Sequence, residues 1–173
     1  LSHYQMVRQF VEKLKKWGKT TYIGWNNIDF DQIFWRHTLF QSLEYPFAST
    51  VNGNKEGDLI NLARAANLYY PGTLKNRTNE KGNLEYKLDT MAPLNDIEHA
   101  AHTAIGDCLA TLKIARIIKK KAPSVWNASL MTISKEESLK VIQNEKLFCT
   151  NEFYYGKVVP VSYTHLRAHE TSL

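Results

Sequence analysis

A short run of β-branched and aromatic residues, residues 20–25 (TTYIGW), lies between two stretches with helical periodicity. Residues 4–17 carry apolar side chains at three- and four-residue spacing, which predicts an amphipathic helix. Residues 30–43 return to the same spacing, after a turn at NNID. A buried strand between two helices is typical of α/β proteins, and we therefore expect an α/β fold.

Three further helices are indicated by periodic apolar residues and by capping residues. They are predicted over residues 59–69, about 102–121 and 134–144. Asp58 is suited to cap the first of them, after a loop over residues 49–58. The second is expected to be a core helix, and its apolar side is formed by Ile105, Leu109, Leu112 and Ile117.

Two other segments complete the predicted order of elements. Residues 70–83 form a long polar connection, and at most a short helix follows before Pro93. Residues 145–161 have the pattern of a strand, a turn and a second strand.

Composition narrows the class of protein. The 173 residues are 43% hydrophobic, which is enough for one compact domain with a core. The net charge of +5 is compatible with a polyanionic partner such as nucleic acid. Cys108 and Cys149 lack the spacing of a disulfide framework or a metal site, so we expect a cytoplasmic location. No segment is long and apolar enough to predict a membrane span.

The two ends of the chain are unusual. The chain begins with Leu1 rather than Met, which indicates a start further upstream. Residues 161–171 (VSYTHLRAHET) match the translation of a common transposase sequencing adapter. We therefore interpret residues 161–173 as an artefactual tail and leave His165 and His169 out of the functional argument.

The first candidate site lies in residues 22–31 (YIGWNNIDFD), where a strand ends in a glycine and two asparagines before Asp29 and Asp31. Carboxylates just beyond a strand end are where active sites of α/β proteins are built. An aspartate at the start of a helix is equally an N-cap. The spacing alone does not choose between Asp29 and Asp31.

His102 and Asp107 form the second candidate site, five residues apart at the beginning of a predicted helix. On a regular helix their side chains would point about 140° apart. They can serve one site if His102 lies on the entry turn and Asp107 lies one turn into the helix. A capping histidine followed by a surface charge would leave the same pattern, so that alternative stays open.

Taken together, the two sites contain the parts needed for metal-assisted phosphodiester hydrolysis. Carboxylate oxygens suit Mg²⁺ or Mn²⁺. Two such ions about 4 Å apart can stabilise the attacking and the leaving oxygens. A histidine can take the proton from the attacking water because its ordinary pKa lies near neutrality.

The order and spacing of these motifs resemble the bacterial exonuclease I family, whose members are DEDDh exonucleases with a ribonuclease H-like fold. The resemblance covers about residues 11–123 and rests on three segments. They are TTYIGWNNIDFDQIFWRHTLF, GDLINLARAANLYYPGTL and EKGNLEYKLDTMAPLNDIEHAAHTAIGDCLATLKIAR. The resemblance implies a ribonuclease H-like α/β fold that is incomplete because its first strands are missing. A truncated start of a second α+β or all-β domain would follow it.

The resemblance also implies roles for individual residues. Asp31 and Asp107 match metal ligands, and His102 matches the general base. Asp29 falls where the family varies. His99 matches a frequent family residue without a catalytic role, so we place it in a loop.

The Asp-x-Glu motif that opens the family pattern does not precede TTYIGW. Two of the four expected metal-binding carboxylates are therefore absent from this chain. We expect the chain by itself to bind the metals poorly and to be inactive.

The resemblance implies a 3′→5′ exodeoxyribonuclease that degrades single-stranded DNA to 5′-mononucleotides with two Mg²⁺ or Mn²⁺ ions. A basic groove with stacking aromatic residues would hold the strand. Candidate groove residues are Asn27, Arg36, Arg64 and Lys75. We expect a monomer. The alternatives are another DEDDh exonuclease that acts on RNA or short oligonucleotides, and a nucleic-acid-binding domain that has lost catalysis.

These inferences predict a division of the chain into three parts. Residues 1–123 would form a partial exonuclease domain. Residues 124–160 would contain a linker and the truncated start of the second domain, and residues 161–173 the tail.

Overall fold

The computed structural model of the chain describes residues 1–99 and 103–164. Its helices are α1 (His3–Trp17), α2 (Asp31–Gln41), α3 (Leu59–Tyr69), α4 (Leu88–Leu94), α5 (Ala104–Lys121), α6 (Pro123–Met131) and α7 (Lys135–Asn144). Its strands are β1 (Thr21–Gly24), β2 (Lys55–Asp58), β3 (Leu147–Tyr154) and β4 (Lys157–Thr164). Three histidines singled out in the sequence lie outside the described residues, namely His102, His165 and His169.

β1 and β2 form a parallel pair in which Tyr22 lies opposite Glu56 and Gly24 lies opposite Asp58. The prediction of β1 as a strand is confirmed, but the strand is only half-buried. Among the described residues, β2 is the one strand that pairs with β1. The prediction of a loop over residues 49–58 was wrong at its end, where β2 forms. The sequence KEGD has no strand-like pattern, and the pairing with β1 supplies its backbone partners.

Helices pack on both sides of this strand pair, which confirms the α/β class. On one side, Ile23 contacts the main core formed by α3, α4, α5 and α6. On the other side, Arg36 of α2 reaches Glu56, and the ring of Trp17 of α1 lies 6.3 Å from that of Tyr22.

The main core includes one stripe of α5 formed by Ala110, Ile114 and Ile118, all fully buried. These residues are four apart and therefore lie on one side of the helix. The predicted apolar side of α5 was wrong. Ile105, Leu109 and Leu112 are 76%, 51% and 45% exposed, and Ile117 is half-buried. The side that faces α3 and α4 is the one that carries the small residue Ala110, which permits close approach of the helices.

A smaller core joins α1 and α2 through Val7, Val11 and Leu39, with Trp35 and Ala48 packed against it. α1 begins at a capping box formed by Ser2 and Gln5. The prediction of α2 is confirmed, but most of the apolar residues that give residues 30–43 their helical spacing are exposed. Leu39 is buried, whereas Phe30, Ile33, Phe34 and Leu43 are exposed.

Asp58 caps α3 as predicted, because its side chain accepts a hydrogen bond from the Ile60 N–H. α4 is the expected short helix, and Pro93 lies inside its last turn. Pro123 follows α5 and occupies the first turn of α6, a helix that the sequence did not indicate. Proline is tolerated there because that position needs no N–H donor.

α6 packs against the main core through Val125 and Trp126. The predicted boundary at residue 123 stays a prediction.

The predicted strand–turn–strand is confirmed as the antiparallel pair of β3 and β4, and β4 includes residues 161–164 of the predicted tail. Tyr155 and Gly156 turn the hairpin with φ values of 47° and 79°. Among the described residues, no helix is long and apolar enough to cross a membrane.

The connection between α6 and α7 approaches β2 closely. A Cβ atom at Gly57 would lie 2.6 Å from Cδ1 of Ile133. Such a distance is shorter than any normal contact, so the end of the Ile133 side chain occupies the space beside Gly57 and would have to shift for any larger residue.

Candidate metal centre

Asp107 lies in the first turn of α5, where the Thr103 side chain accepts a hydrogen bond from the Gly106 N–H at 3.1 Å. The Asp107 N–H donates to the Thr103 carbonyl at 2.9 Å. These bonds fix the direction in which α5 begins. The positive end of the helix dipole favours a carboxylate in this turn.

The Asp107 carboxylate contacts His99. Nε2 of His99 lies 2.6 Å from Oδ1 of Asp107, and the other ring nitrogen, Nδ1, lies 3.6 Å from Oδ1 of Asp89 on α4. The His99 side chain is 1% exposed, whereas those of Asp89 and Asp107 are 53% and 46% exposed. A buried imidazole therefore lies between two carboxylates that reach solvent.

This arrangement has the composition of a metal site. One ligand atom from each of Asp89, His99 and Asp107 lies within 4.8 Å of the other two. Two carboxylates and an imidazole suit a transition metal such as Mn²⁺. Mg²⁺ prefers oxygen ligands, so with Mg²⁺ the imidazole would hold the Asp107 carboxylate rather than bind the ion.

The group around Asp107 does not include Asp31. That residue is exposed in the first turn of α2, and the N-cap of the helix is Phe30, so the alternative of an N-cap at Asp31 was wrong. Its role as a metal ligand stays a prediction, and so does the role of His102 as a base.

Sequence reasoning missed two members of the group. His99 lies outside regular secondary structure, as expected, but nothing in the pattern signalled its burial against Asp107. Asp89 lies in the first turn of α4, where an acidic residue is ordinary helix chemistry. The sequence contained a weak indication that these residues lie near Asp107. The predicted helix before Pro93 and the helix that carries Asp107 are joined by a short loop.

Arg64, one of the four predicted groove residues, contacts two aromatic rings and an asparagine. Its guanidinium lies 3.7 Å from the centre of the Phe153 ring and 5.7 Å from that of Tyr86. Nη1 donates a hydrogen bond to Oδ1 of Asn61 at 3.0 Å. Burial lowers the pKa of Arg64, while the nearby groups Tyr86, Asp58 and Asp29 oppose that shift.

Arg64 lines two cavities. The larger has a volume of about 1090 Å³ and lies between α3, α6, α7 and β3. The smaller, of about 360 Å³, lies between α3 and the β3–β4 turn. Arg64 is therefore the one predicted groove residue that lines either of these two cavities.

The other three predicted groove residues have different surroundings. The Arg36 guanidinium lies 5.0 Å from the centre of the Phe47 ring and 4.0 Å from a carboxylate oxygen of Glu56. Lys75 is exposed and forms an ion pair with Asp96 at 3.2 Å. Asn27 is half-buried beside Gly24. Their contacts with nucleic acid stay predictions.

The fold has close matches among solved structures. A structure described as E. coli exonuclease I in complex with a dT13 oligonucleotide matches with a TM-score of 0.82 and 22% identity, over 92% of this chain and 36% of that one. Exonuclease I from Methylocaldum szegediense matches with a TM-score of 0.76 and 24% identity, over 90% of this chain and 34% of that one. The chain therefore has part of the exonuclease I fold, a ribonuclease H-like α/β architecture.

Sequence relatives of the chain are exodeoxyribonuclease I proteins. Exodeoxyribonuclease I of Buchnera aphidicola subsp. Acyrthosiphon pisum is 34% identical over 127 residues, which are 72% of this chain and 31% of the relative. Exodeoxyribonuclease I of Haemophilus influenzae is 31% identical over 125 residues, 71% of this chain and 26% of the relative. No family model matches the chain. The chain is therefore homologous to exodeoxyribonuclease I proteins and spans about a third of the length of the relatives it matches.

Proposed function

We propose that the whole protein is a 3′→5′ exodeoxyribonuclease that degrades single-stranded DNA to 5′-mononucleotides. The observation that carries this proposal is the group of Asp89, His99 and Asp107 at the start of α5, in a chain homologous to exodeoxyribonuclease I proteins. A carboxylate that is half-exposed and held by a buried imidazole is suited to bind a divalent cation. The proposed location is the cytoplasm, where Cys108 and Cys149 would stay reduced.

The proposed chemistry divides roles among the residues of the chain. Asp31 and Asp107 would be ligands of two Mg²⁺ or Mn²⁺ ions, and His102 would accept the proton of the attacking water at a ring nitrogen. The ions, when bound, would stabilise the attacking and leaving oxygens of the phosphodiester. His99 would keep the Asp107 carboxylate in one orientation.

The proposed substrate would be held without base-specific contacts. A relative has been crystallised with a dT13 oligonucleotide, which supports a single-stranded substrate. The Arg64 guanidinium and the Phe153 ring combine the positive charge and the aromatic surface that such strands need. Arg36 and Lys75 would have to exchange their contacts with Glu56 and Asp96 for phosphate oxygens.

The test uses the protein expressed from its complete coding sequence. We expect Mg²⁺-dependent release of 5′-mononucleotides from the 3′ end of single-stranded DNA. Asp107→Asn and His102→Ala should each lower the rate by a factor on the order of 10² or more, since general acid–base catalysis alone contributes that much. The control is Glu80→Gln, which removes an exposed carboxylate outside the site.

Three results would contradict the proposal. Activity that survives both substitutions would exclude the assigned site. A preference for RNA or short oligonucleotides would favour the alternative DEDDh activity. Strand binding without hydrolysis in the wild-type protein would favour a binding domain.

A further inference from the structure

Asp58 is a buried carboxylate at the end of β2 and is 4% exposed. Its backbone lies opposite Gly24, the last residue of β1. The chain leaves β1 at that point and enters the segment of residues 25–30, which leads to α2. Asp58 therefore faces the connection that belongs to the first candidate site, residues 22–31.

The Asp58 side chain accepts three backbone hydrogen bonds. Oδ1 accepts from the Asn26 N–H at 2.8 Å and from the Ile60 N–H at 3.1 Å, and Oδ2 accepts from the Ile28 N–H at 3.2 Å. The bond from Ile60 is the helix cap. The other two cross from one strand end to the neighbouring connection, and a helix cap does not require them.

The connection is shaped to receive an anion. Asn26 has a φ of 57°, in the left-handed region that a side chain rarely adopts. Turns of this kind gather successive N–H groups into a concavity that binds negative charge. In this protein the Asp58 carboxylate fills that concavity from within the fold.

The same connection is tied to the start of α2. The Asn27 carbonyl accepts a hydrogen bond from the Gln32 N–H at 2.8 Å, and the Phe30 carbonyl accepts from the Ile33 N–H at 3.1 Å. Asp31 lies between these anchoring points, in the first turn of α2. A displacement of the connection would therefore displace Asp31.

We propose that Asp58 is a positioning residue for Asp31, which it holds in place through the connection of residues 25–30. This inference rests on the proposed function, in which Asp31 is a metal ligand. A carboxylate is needed because both of its oxygens accept hydrogen bonds from the connection. An asparagine would present an NH₂ group to one of the N–H donors.

The decisive variant is Asp58→Ser in the protein expressed from its complete coding sequence. Serine is a good N-cap, so it retains the bond from Ile60 and removes the two bonds from Asn26 and Ile28. The matched control is Ser134→Ala, which removes the cap of α7 without touching the connection. Both variants are first checked for folding by circular dichroism.

Two readouts are compared. Amide hydrogen exchange should become faster at Asn26 and Ile28 but not at Ile60. The Mg²⁺ concentration for half-maximal activity should rise about 10-fold or more, the usual effect of removing a group that supports a metal ligand. KM for single-stranded DNA should stay within about twofold because the Asp58 side chain is buried and its oxygens accept backbone hydrogen bonds.

Faster exchange at Asn26 and Ile28 with an unchanged Mg²⁺ requirement would overturn the proposal and leave the proposed function standing. A wild-type protein without Mg²⁺-dependent nuclease activity would instead refute the proposed function and, with it, the positioning role, whatever the exchange data show. If Asp58→Ser does not fold, Asp58→Asn decides the matter, because its one carbonyl oxygen retains the bonds from Asn26 and Ile60. A raised Mg²⁺ requirement in Asp58→Asn would support the role, and an unchanged one would overturn it.

Discussion

Nε2 of His99 lies 2.6 Å from Oδ1 of Asp107, across the loop that precedes α5. Because a carboxylate can only accept, the imidazole donates this hydrogen bond. The bond uses one oxygen of Asp107, and we propose that the other oxygen binds a metal ion. Because the His99 side chain is buried, its contact restricts the orientation of the carboxylate.

The first prediction concerns this contact. His99→Ala should weaken Mn²⁺ or Mg²⁺ binding about 10–100-fold, because outer partners of metal ligands contribute that much. His99→Gln should retain part of the affinity, since glutamine can still donate to Asp107. The measurement is isothermal titration calorimetry of the protein expressed from its complete coding sequence, with the metal alone.

The control for the first prediction is His37→Ala, which removes an exposed histidine on α2. Equal metal affinity in His99→Ala and the wild type would show that His99 does not support the site.

The second prediction concerns Arg64. Arg64→Ala should weaken the binding of a single-stranded DNA oligonucleotide and reduce the salt slope of log K by about 1, as expected for the loss of one phosphate contact. Arg64→Lys retains the positive charge but loses the flat contact with the Phe153 ring. Fluorescence anisotropy at several salt concentrations measures both quantities.

For Arg64, the comparison variant is Arg116→Ala, which removes an exposed arginine on α5. If Arg64→Ala and Arg116→Ala give the same affinity and slope, the groove assignment of Arg64 is wrong.

The third prediction separates the two sides of α5. Ile114→Ala should lower the free energy of unfolding by about 2–5 kcal/mol, because it leaves a cavity at a fully buried position. Leu109→Ala, at a position that is 51% exposed, should change it by no more than about 0.5 kcal/mol. Urea denaturation measures both. A larger loss for Leu109→Ala would mean that the side of α5 that sequence reasoning chose is the buried one after all.

The fourth prediction concerns pH. The Lys55 ammonium, 2.6 Å from the Glu137 carboxylate, lowers the pKa of Glu137 below its ordinary value of 4.5. A carboxyl group with a lowered pKa in the folded state stabilises that state above its unfolded pKa. This stabilisation is lost as the pH falls through the lowered pKa. The attachment of α7 to β2 should therefore weaken in acid.

Hydrogen exchange of the α7 amides, followed from about pH 7 to about pH 3 and corrected for intrinsic rates, tests this prediction. Glu137→Gln should remove the pH-dependent part of the protection. Glu136→Gln, a neighbouring exposed glutamate, should retain it. An identical pH profile in Glu137→Gln and the wild type would refute the role of the ion pair.

Local patterns predicted most helices because caps and apolar periodicity lie within a few residues of each other. Ser2, Asp58 and Ser134 each begin a helix as such patterns require. The side that a helix buries was harder to predict, since it depends on the partner. In α5 the small side chain of Ala110 permits close approach of the neighbouring helices. Ala110 is therefore buried, although Leu109 is more hydrophobic.

Apart from α6, the features that sequence reasoning missed are contacts between distant residues. β2 exists because β1 lies beside it, and its four residues carry no strand pattern of their own. His99 joins Asp89 and Asp107 only after α4 and α5 have packed together. Asp58 was correctly predicted as a cap, but its bonds to Asn26 and Ile28 cross about thirty residues of chain.

The contact between Gly57 and Ile133 has a consequence for the evolution of related proteins. A side chain at position 57 would overlap Cδ1 of Ile133, the end of a flexible side chain, so it requires another rotamer of Ile133 or a smaller residue there. Lineages with a larger residue at position 57 should therefore carry a smaller residue or a shifted connection at position 133. Aligned relatives should show these two positions as a covarying pair, even though they lie on opposite sides of the predicted boundary at residue 123.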